Sequence, residues 1–237
     1  MDGRRHEELW RLVTTYAQDH PPASGWVSAV CAVALGRIDV DAAAITVRAA
    51  GRTQQLAAAS DAWAASLEEL QYTVGEGPGM SAFRDGEAVL VGDLNTEAGR
   101  WPGFVHEAAT ADVRAAFAFP LRVGAIQVGT FALYRHRAGP LDAEGFGDAV
   151  ALADLATTAL LTDSKDEKPV ASWAREDVSS FYDDVNMAIG MLATLLQINL
   201  EDALLRLRAY AYSNQLPLTE VARQVLSREL RLDSAAE

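Results

Sequence analysis

The 237-residue chain is half hydrophobic and carries a formal net charge of −13 at pH 7. Its length and apolar content favour one large domain or two modest ones with a true core, and exclude a disordered chain. The acidic balance argues against indiscriminate binding to DNA or anionic lipid, because affinity for polyanions comes largely from lysine and arginine. We expect a cytoplasmic protein, since there is no run of about 18 uncharged apolar residues and no secretory signal pattern.

Residues 1–161 show the pattern of a mixed α and β domain. Helical periodicity comes first, in "HEELWRLVTTYAQ" and then in the mostly apolar "WVSAVCAVALGRI". Five strand-like runs follow: "DAAAITVRA", "QQLAAAS", "EAVLVGDL", "AAFAFPLRV" and "IQVGTFALYRH". The last two predict a hairpin, because Phe117, Phe119 and Leu121 alternate ahead of Gly124. The helical run "GFGDAVALADLATTALL" closes the region, so the order of elements predicts an α+β fold with an antiparallel sheet flanked by helices.

Several motifs in this region resemble those of the GAF family of small-molecule sensing domains. They are "LEELQYTVGEGPGMSAF", "VLVGDL", "RWPGF" and "AFAFPLRVGAIQVGTFALYRH", and the resemblance extends over residues 9–161. It implies a GAF-like sensor domain over residues 1–161 with a candidate small-molecule ligand, whose identity the sequence leaves open. The stretch "GEGPG" lacks the strand-before, helix-after spacing of a dinucleotide-binding fingerprint, so it predicts a tight turn.

A candidate ligand pocket is assigned to Asp93, Arg100 and Trp101 in "GDLNTEAGRWPGF". The alternative is that this stretch is a loop held in place by its own tryptophan. Relatives of the GAF family bind cyclic nucleotides, haem, bilins or iron, so the ligand class remains open.

Catalysis and metal binding are not expected. Some GAF relatives reduce methionine sulfoxide, but that chemistry needs two cysteines and the only cysteine, Cys31, lies in an apolar helical pattern. No Ser/His/Asp arrangement, paired-carboxylate motif or Walker glycine loop is present. His106 and His136 have no partner at metal-ligand spacing. We therefore predict a protein that is not an enzyme.

The stretch "TDSKDEKPVAS", residues 162–172, is charged and poor in apolar residues, so it is interpreted as a linker to a helical domain at 173–237. In that domain apolar residues recur at alternating spacings of four and three, as in a heptad seam: Val178, Tyr182, Val185, Ile189, Leu192 and Leu196. The pattern favours a homodimer seam, and the alternative is the core of a helical bundle within one chain.

Two shorter helices are predicted after the seam. Asn199 is placed as the N-cap of the first, with Ala203, Leu204, Leu207 and Ala211 as its core stripe. The second begins at Pro217 and has the core stripe Leu218, Val221, Ala222, Val225 and Leu226. Five of the six arginines after residue 170 fall on these two helices, which suits RNA because arginine pairs with phosphate and stacks on bases. From the residues alone, a solvated surface with salt bridges is an equal alternative.

Residues from about 176 to 232 also resemble the ANTAR domain, a three-helix RNA-binding output module of bacterial transcription antiterminators. The matching residues are Ala188, Gly190, Met191, Leu192, residues 201–204, Leu207, Arg208, Ala211, Asn214, Leu216, Val221 and Ala222. Ile189 stands where many members have lysine. The resemblance implies the RNA-facing residues Gly190, Arg206, Arg208, Tyr210, Asn214 and Arg223. Arg228 is added because Arg223, Arg228 and Arg231 form a basic strip on the outer positions of the predicted last helix.

Together these patterns predict a signal-responsive regulator of transcription antitermination. The sensor would control an output domain that binds paired hairpin loops in nascent mRNA as a homodimer. The alternative is a ligand-sensing protein-interaction module whose ANTAR-like bundle no longer binds RNA. Sequence-specific DNA binding is not expected, because no recognition helix follows "LTEVARQVL".

Overall fold

The computed structural model describes residues 3–19, 25–48, 54–163 and 180–232. Helices α1 (Gly3–Asp19) and α2 (Gly25–Arg37) precede strands β1 (Ala42–Arg48) and β2 (Gln54–Ala59). Next come α3 (Ala62–Val74), α4 (Pro78–Asp85), β3 (Val89–Val91), a 3-10 turn (Leu94–Glu97) and α5 (Pro102–Thr110). The chain continues through β4 (Ala115–Val123), β5 (Ile126–Arg135), α6 (Ala143–Asp163), α7 (Ser180–Leu196), α8 (Leu200–Ser213) and α9 (Leu218–Leu226).

The five predicted strands form one antiparallel sheet in the order β2-β1-β5-β4-β3. Strands β4 and β5 make the predicted hairpin, which turns at Gly124 with φ 62°. Helices flank the sheet, so the predicted α+β architecture with an antiparallel sheet between helices is confirmed. Helix α6 runs through residues 162 and 163, which were predicted to begin the linker, and residues 164–172 lie outside the described residues.

One face of the sheet carries large side chains and is called the bulky face: Ile45, Phe117, Phe119, Leu121, Phe131 and Leu133. Helices α1, α2 and α6 cover it and close a continuous apolar core. At the edge of this layer the buried carboxylate of Asp148 forms ion pairs with Arg5 and Arg37, each at 3.2 Å. These ion pairs connect α6 to α1 and α2.

The opposite face of the same strands carries small side chains and is called the alanine face: Ala42, Ala44, Ala116, Ala118 and Ala132. Residues alternate between the two faces because successive side chains of a strand point to opposite sides. Helices α3, α4 and α5 lie over the alanine face, and the core they form continues without a break into α7, α8 and α9.

The last two helices, α8 and α9, begin where predicted and have the predicted core stripes. The Asn199 side chain accepts a hydrogen bond from the Asp202 backbone N–H at 2.8 Å and begins α8. Eight of the nine residues predicted for the core stripes of α8 and α9 are buried: Ala203, Leu204, Leu207, Ala211, Leu218, Val221, Ala222 and Val225. The ninth, Leu226, is half-buried.

Most of the residues predicted as a dimer seam are part of this core. Tyr182, Val185, Ile189 and Leu192 are buried within the chain itself, Leu196 is half-buried, and α7 packs on α8, α9 and β2. Val178 lies outside the described residues. The burial of these four side chains fits the alternative, a bundle core within one chain, and a dimer seam at these residues stays a prediction.

Among the helices described, none alone is long and apolar enough to cross a membrane, although Tyr182–Leu196 and Leu200–Ser213 together meet that test as a pair bent by 111°.

Candidate ligand site and its contact with the C-terminal helices

A buried polar network lies between α3 and the alanine face. Glu68 and Gln71, one turn apart on α3, have no exposed surface. The Thr46 hydroxyl donates to Glu68 Oε2 at 2.8 Å, and the Tyr134 hydroxyl donates to Glu68 Oε1 at 2.5 Å. The Gln71 amide nitrogen donates to the Tyr134 hydroxyl at 2.7 Å and lies 3.3 Å from Glu68 Oε1. The Glu68 carboxylate is therefore served by hydrogen-bond donors from the sheet and from its own helix.

The Tyr134 hydroxyl is held in its protonated form. Burial raises the pKa of Tyr134 well above its ordinary value, and the negative charge of Glu68 raises the pKa further. The phenolic proton is therefore fixed as a donor to the carboxylate at neutral pH.

Next to this network lie buried polar atoms without a hydrogen-bond partner among the described residues. They are Nε and Nη2 of Arg48, both side-chain polar atoms of Gln54, and the hydroxyls of Tyr72 and Thr130. Arg48 and Gln54 are directly opposite each other on β1 and β2, and Thr130 is opposite Thr46 on β5. Burial lowers the pKa of Arg48 from its ordinary value, while the charge of Glu68 opposes that shift. Buried polar atoms normally have a partner, so this cluster marks a candidate ligand site.

The C-terminal helices touch the same region through Tyr72 of α3. The rings of Tyr182 on α7 and Tyr72 meet edge to face with centroids 5.0 Å apart. From α8, Arg208 Nε donates to the Tyr72 carbonyl at 2.7 Å, and the guanidinium carbon lies 5.2 Å from the Tyr72 ring centroid. The Thr219 hydroxyl at the start of α9 donates to Glu69 Oε1 at 2.5 Å. Glu68 and Gln71 of α3 therefore belong to the polar network, while Glu69 and Tyr72 of the same helix contact the C-terminal helices.

The tyrosine from α7 is deeply buried at this contact. Burial raises the pKa of Tyr182 well above its ordinary value, and Glu68 and Glu69 add to the effect. A residue of the C-terminal helices thus lies within electrostatic reach of the carboxylate at the centre of the network.

The "GEGPG" stretch forms the turn between α3 and α4, as predicted. Gly75 ends α3 in the left-handed region with φ 77°, and Gly77 has φ 137°. A Cβ at Gly77 would meet the Gln71 side chain at 2.5 Å, so glycine is required by both backbone conformation and space. The turn places the Gly79 N–H 2.7 Å from Gln71 Oε1, which fixes the orientation of that amide.

The residues predicted to line a pocket lie elsewhere. Trp101 is buried and donates its indole N–H to Ser81 at 3.0 Å. Arg100 is exposed and lies over the ring of its neighbour Trp101, at 4.4 Å from the centroid. Asp93 caps the 3-10 turn by accepting from the Asn95 N–H at 3.1 Å. None of these three contacts the polar network, and the alternative of a loop held by its own tryptophan describes them.

The predicted RNA-facing residues divide into two groups. Arg206, Asn214, Arg223 and Arg228 are exposed. Of these, Arg223 lies 3.0 Å from Glu220 and 3.7 Å from Asp184, and the Asn214 amide donates to the Tyr210 carbonyl at 2.9 Å. Arg208, Tyr210 and Gly190 are half-buried, and Arg208 is directed toward α3. The seven residues therefore do not share one open surface in this arrangement.

The single cysteine is buried at the bulky face. Burial raises the pKa of the Cys31 thiol far above its ordinary value, which keeps it protonated and unreactive. His136 is exposed and stacks on Trp63 with ring centroids 4.0 Å apart. In the part of the chain that the structure describes, no group of three or more His, Cys, Asp and Glu side chains could hold a metal ion.

Sequence reasoning missed the residues that form the candidate site. Glu68 and Gln71 lie within the quoted "LEELQYTV", where their separation of three places both on one face of a helix. Thr46 and Arg48 alternate in "ITVR" with the alanines of β1 and so share their face. These two spacings were the available signals.

A family model described as a GAF domain matches residues 26–161. No curated protein sequence matches the chain. A solved GAF domain from a phosphoenolpyruvate-protein phosphotransferase of Coxiella burnetii is 14% identical with a TM-score of 0.50, and the match covers 69% of this chain and 96% of that one. The fold likeness rests on that structure.

Two further solved structures are similar at lower TM-scores. The phycocyanobilin-bound GAF domain of a cyanobacterial phytochrome has a TM-score of 0.48 and 10% identity, covering 69% of this chain and 97% of that one. The reduced form of fRMsr of Staphylococcus aureus has a TM-score of 0.47 and 12% identity, covering 65% of this chain and 94% of that one.

Proposed function

The chain belongs to the GAF domain family through residues 26–161, and we propose that this sensory domain controls a C-terminal RNA-binding unit in a regulator of transcription antitermination. The sensor would bind a small molecule. The C-terminal helices, as an ANTAR-like unit, would bind paired hairpin loops in nascent mRNA as a homodimer. Antitermination of this kind favours one RNA secondary structure over a terminator hairpin, so it needs no catalytic residue.

The observation that carries the proposal is the order and burial of the motif residues in α7, α8 and α9. Most apolar members of the ANTAR-like pattern are buried where three helices meet, with Met191 and Leu216 half-buried, while Arg206 and Arg228 are exposed. A phosphate-binding surface needs a bundle whose core is apolar and whose exposed surface carries arginines, and this is the arrangement of α7, α8 and α9.

The contacts at Tyr72 support control of the output by the sensor. Arg208, which the resemblance implies to face RNA, donates to the Tyr72 carbonyl instead. Release of α8 from α3 would free this arginine and so raise RNA affinity. The described arrangement would then be the one with weaker RNA binding.

The proposal is tested with full-length protein and a labelled RNA carrying tandem hairpins, beside a loop-scrambled RNA and a duplex DNA. Arg206→Ala and Arg228→Ala are expected to weaken binding and to lower the slope of log K against log salt by about 1 for each lost phosphate contact. Arg11→Ala, an exposed arginine of α1, is the matched control and should leave both unchanged. Equal binding of hairpin and scrambled RNA, or equal loss in the Arg11 variant, would contradict the proposal.

A second candidate function is a ligand-sensing protein-interaction module without RNA binding. It is favoured by the charge pairing of Arg223 with Glu220 and Asp184 and by the net charge of −13. Large apolar side chains are also exposed on α7 and α8: Met187, Leu195, Leu200, Leu205 and Tyr212. Under this alternative, Leu205→Glu would abolish partner binding while RNA affinity would be undetectable in the parent protein.

A further inference from the structure

We propose that Arg48 and Gln54 form the anion-recognition end of the sensor's ligand site, and that the ligand is a small organic anion with a carboxylate or phosphate group. This rests on the proposed sensing function and specifies the chemistry of its ligand. The anion would accept two hydrogen bonds from Arg48, and a neighbouring polar group would pair with the Gln54 amide.

The unpartnered nitrogens of Arg48 are the pair that one anion can satisfy. Nε and Nη2 lie on the same edge of the planar guanidinium and donate in parallel, which matches the two oxygens of a carboxylate or phosphate. The remaining nitrogen, Nη1, lies 2.6 Å from the Met80 sulfur, which is a weak acceptor. The guanidinium carbon is also 5.2 Å from the Phe83 ring centroid. The side chain thus contacts α4, while no described residue accepts a hydrogen bond from its Nε and Nη2 edge.

Gln54 is placed to act with Arg48. The two residues are opposite partners in the β1–β2 ladder, so their side chains leave the sheet on the same face. Gln54 is 1% exposed, yet neither its amide nitrogen nor its amide oxygen has a hydrogen-bond partner among the described residues. One donor and one acceptor side by side suit a ligand with an amide, a hydroxyl pair or a similar polar edge.

The protein's own carboxylate does not take the place of the anion. Among the described residues Arg48 makes no ion pair within 4.0 Å, and Glu68 is already served by Thr46, Tyr134 and Gln71. Buried charged nitrogens without a direct partner destabilise the folded protein, and since the described residues supply no such partner, a bound anion is the partner that we assign to Arg48.

Arg135 shows what a structural arginine looks like in the same sheet. Its side chain is 3% exposed, and its nitrogens contact the Asp39 carbonyl at 2.7 Å, the Gly139 carbonyl at 3.2 Å and the Asp39 carboxylate at 3.7 Å. Every nitrogen of Arg135 has a protein partner, whereas Nε and Nη2 of Arg48 have no hydrogen-bond partner among the described residues. Arg135 is buried and bonded, whereas Arg48 is half-buried with two buried nitrogens unbonded, and this contrast separates a structural role from a binding role.

The first arm of the test compares Arg48→Met with Arg135→Met in the full chain without added ligand. Arg48→Met removes an unsatisfied buried charge and keeps an apolar side chain, so Tm should stay level or rise by about 2–4 °C. Arg135→Met removes bonded donors and should lower Tm by several degrees. A fall of Tm in Arg48→Met as large as that in Arg135→Met would assign Arg48 to structure and overturn the proposal.

The second arm titrates sodium succinate and inorganic phosphate to about 50 mM, roughly ten times the millimolar Kd expected of such small fragments. Sodium chloride at equal ionic strength is the control. Binding at ten times Kd should raise the Tm of the parent protein by about 3–6 °C and leave Arg48→Met unchanged. A Tm shift with succinate alone would show that the site binds a carboxylate, and a Tm shift with phosphate alone would show that it binds a phosphate. No shift with either anion, or equal shifts in the two proteins, would overturn the proposal.

RNA binding measured on the same preparations keeps the two proposals separate. Hairpin RNA bound without any anion-dependent shift removes the ligand proposal alone. An Arg48-dependent shift without RNA binding removes the antitermination function and leaves the anion site standing.

Discussion

The bulky face and the alanine face are made by alternate residues of the same strands, yet they are built to different ends. Along β5, Phe131 and Leu133 enter a core that α1, α2 and α6 close with apolar side chains. The intervening Ala132 leaves room on the other side, where Tyr134 meets Glu68 and Gln71. Large side chains fill one layer, and small ones leave space for polar groups in the other.

The difference shows which face contributes most to the stability of the fold and which face contains buried polar atoms without a hydrogen-bond partner among the described residues. The bulky face gains from burial of apolar area and contains an inert, protonated thiol at Cys31. The alanine face contains the buried carboxylate of Glu68 and the Nε and Nη2 atoms of Arg48, which have no hydrogen-bond partner among the described residues. Substitutions on the two faces should therefore differ in size and even in sign.

The largest effect is expected for Phe131→Ala on the bulky face. The ring is fully buried, so its removal should lower the free energy of unfolding by about 3–5 kcal/mol through lost burial and a cavity. Urea denaturation followed by circular dichroism measures this change. A loss below about 1 kcal/mol would mean that the bulky face is not the stabilising layer.

An intermediate effect is expected for Tyr134→Phe on the alanine face. The phenylalanine keeps the ring but removes the hydroxyl that donates to Glu68 and accepts from Gln71. The free energy of unfolding should fall by about 1.5–3 kcal/mol, as for a hydrogen bond to a charged group. The same denaturation measurement applies, and an unchanged midpoint would show that the network does not hold α3 on the sheet.

The tyrosines also predict the response to alkaline pH. Burial raises the pKa of Tyr134 and of Tyr182 in the folded state. A raised pKa contributes stability that is fully present below the unfolded value of about 10 and is lost as the pH rises above it. The denaturation midpoint should therefore fall between about pH 9 and pH 11, and less steeply in Tyr134→Phe. Equal slopes in both proteins would contradict the shift at Tyr134.

The smallest effect is expected one residue away from the largest. Thr130 is the neighbour of Phe131 on the opposite face, and its buried hydroxyl has no partner among the described residues. Thr130→Val exchanges that hydroxyl for a methyl group of similar size, so stability should change by less than about 1 kcal/mol or rise. A loss of about 2 kcal/mol or more would show that the hydroxyl is hydrogen-bonded and that the unsatisfied cluster is smaller than described.

The strand patterns predicted the sheet because alternation and turn residues are local properties. Phe117, Phe119 and Leu121 alternate in the sequence and lie together on the bulky face as expected. The pairing of Arg48 with Gln54 depends on register across two strands, which no local pattern specifies. That is why the candidate site was not predicted.

The C-terminal helices show the same limit. Periodicity correctly separated the buried from the exposed side of each helix, but it does not identify the surface that each helix packs against. The heptad spacing of Tyr182, Val185 and Ile189 was assigned to a second copy, whereas the structure packs these residues within the chain. Arg208 was expected to face outward and instead contacts Tyr72, because the position of α3 could not be derived from the sequence.

The contacts of α3 with the C-terminal helices also bear on the order of folding. Arg208 and Tyr72 are 136 residues apart in the chain, and Thr219 and Glu69 are 150 apart. Loop-closure entropy grows only slowly with sequence separation, so these contacts cost little more in loop closure than the β1–β5 pairing of Ala44 with Ala132. During synthesis the sheet and α3 emerge first, so Tyr72 lacks these partners until α8 and α9 leave the ribosome. Docking of α8 and α9 onto α3 is therefore the last step of folding on the ribosome, after the sheet has been synthesised.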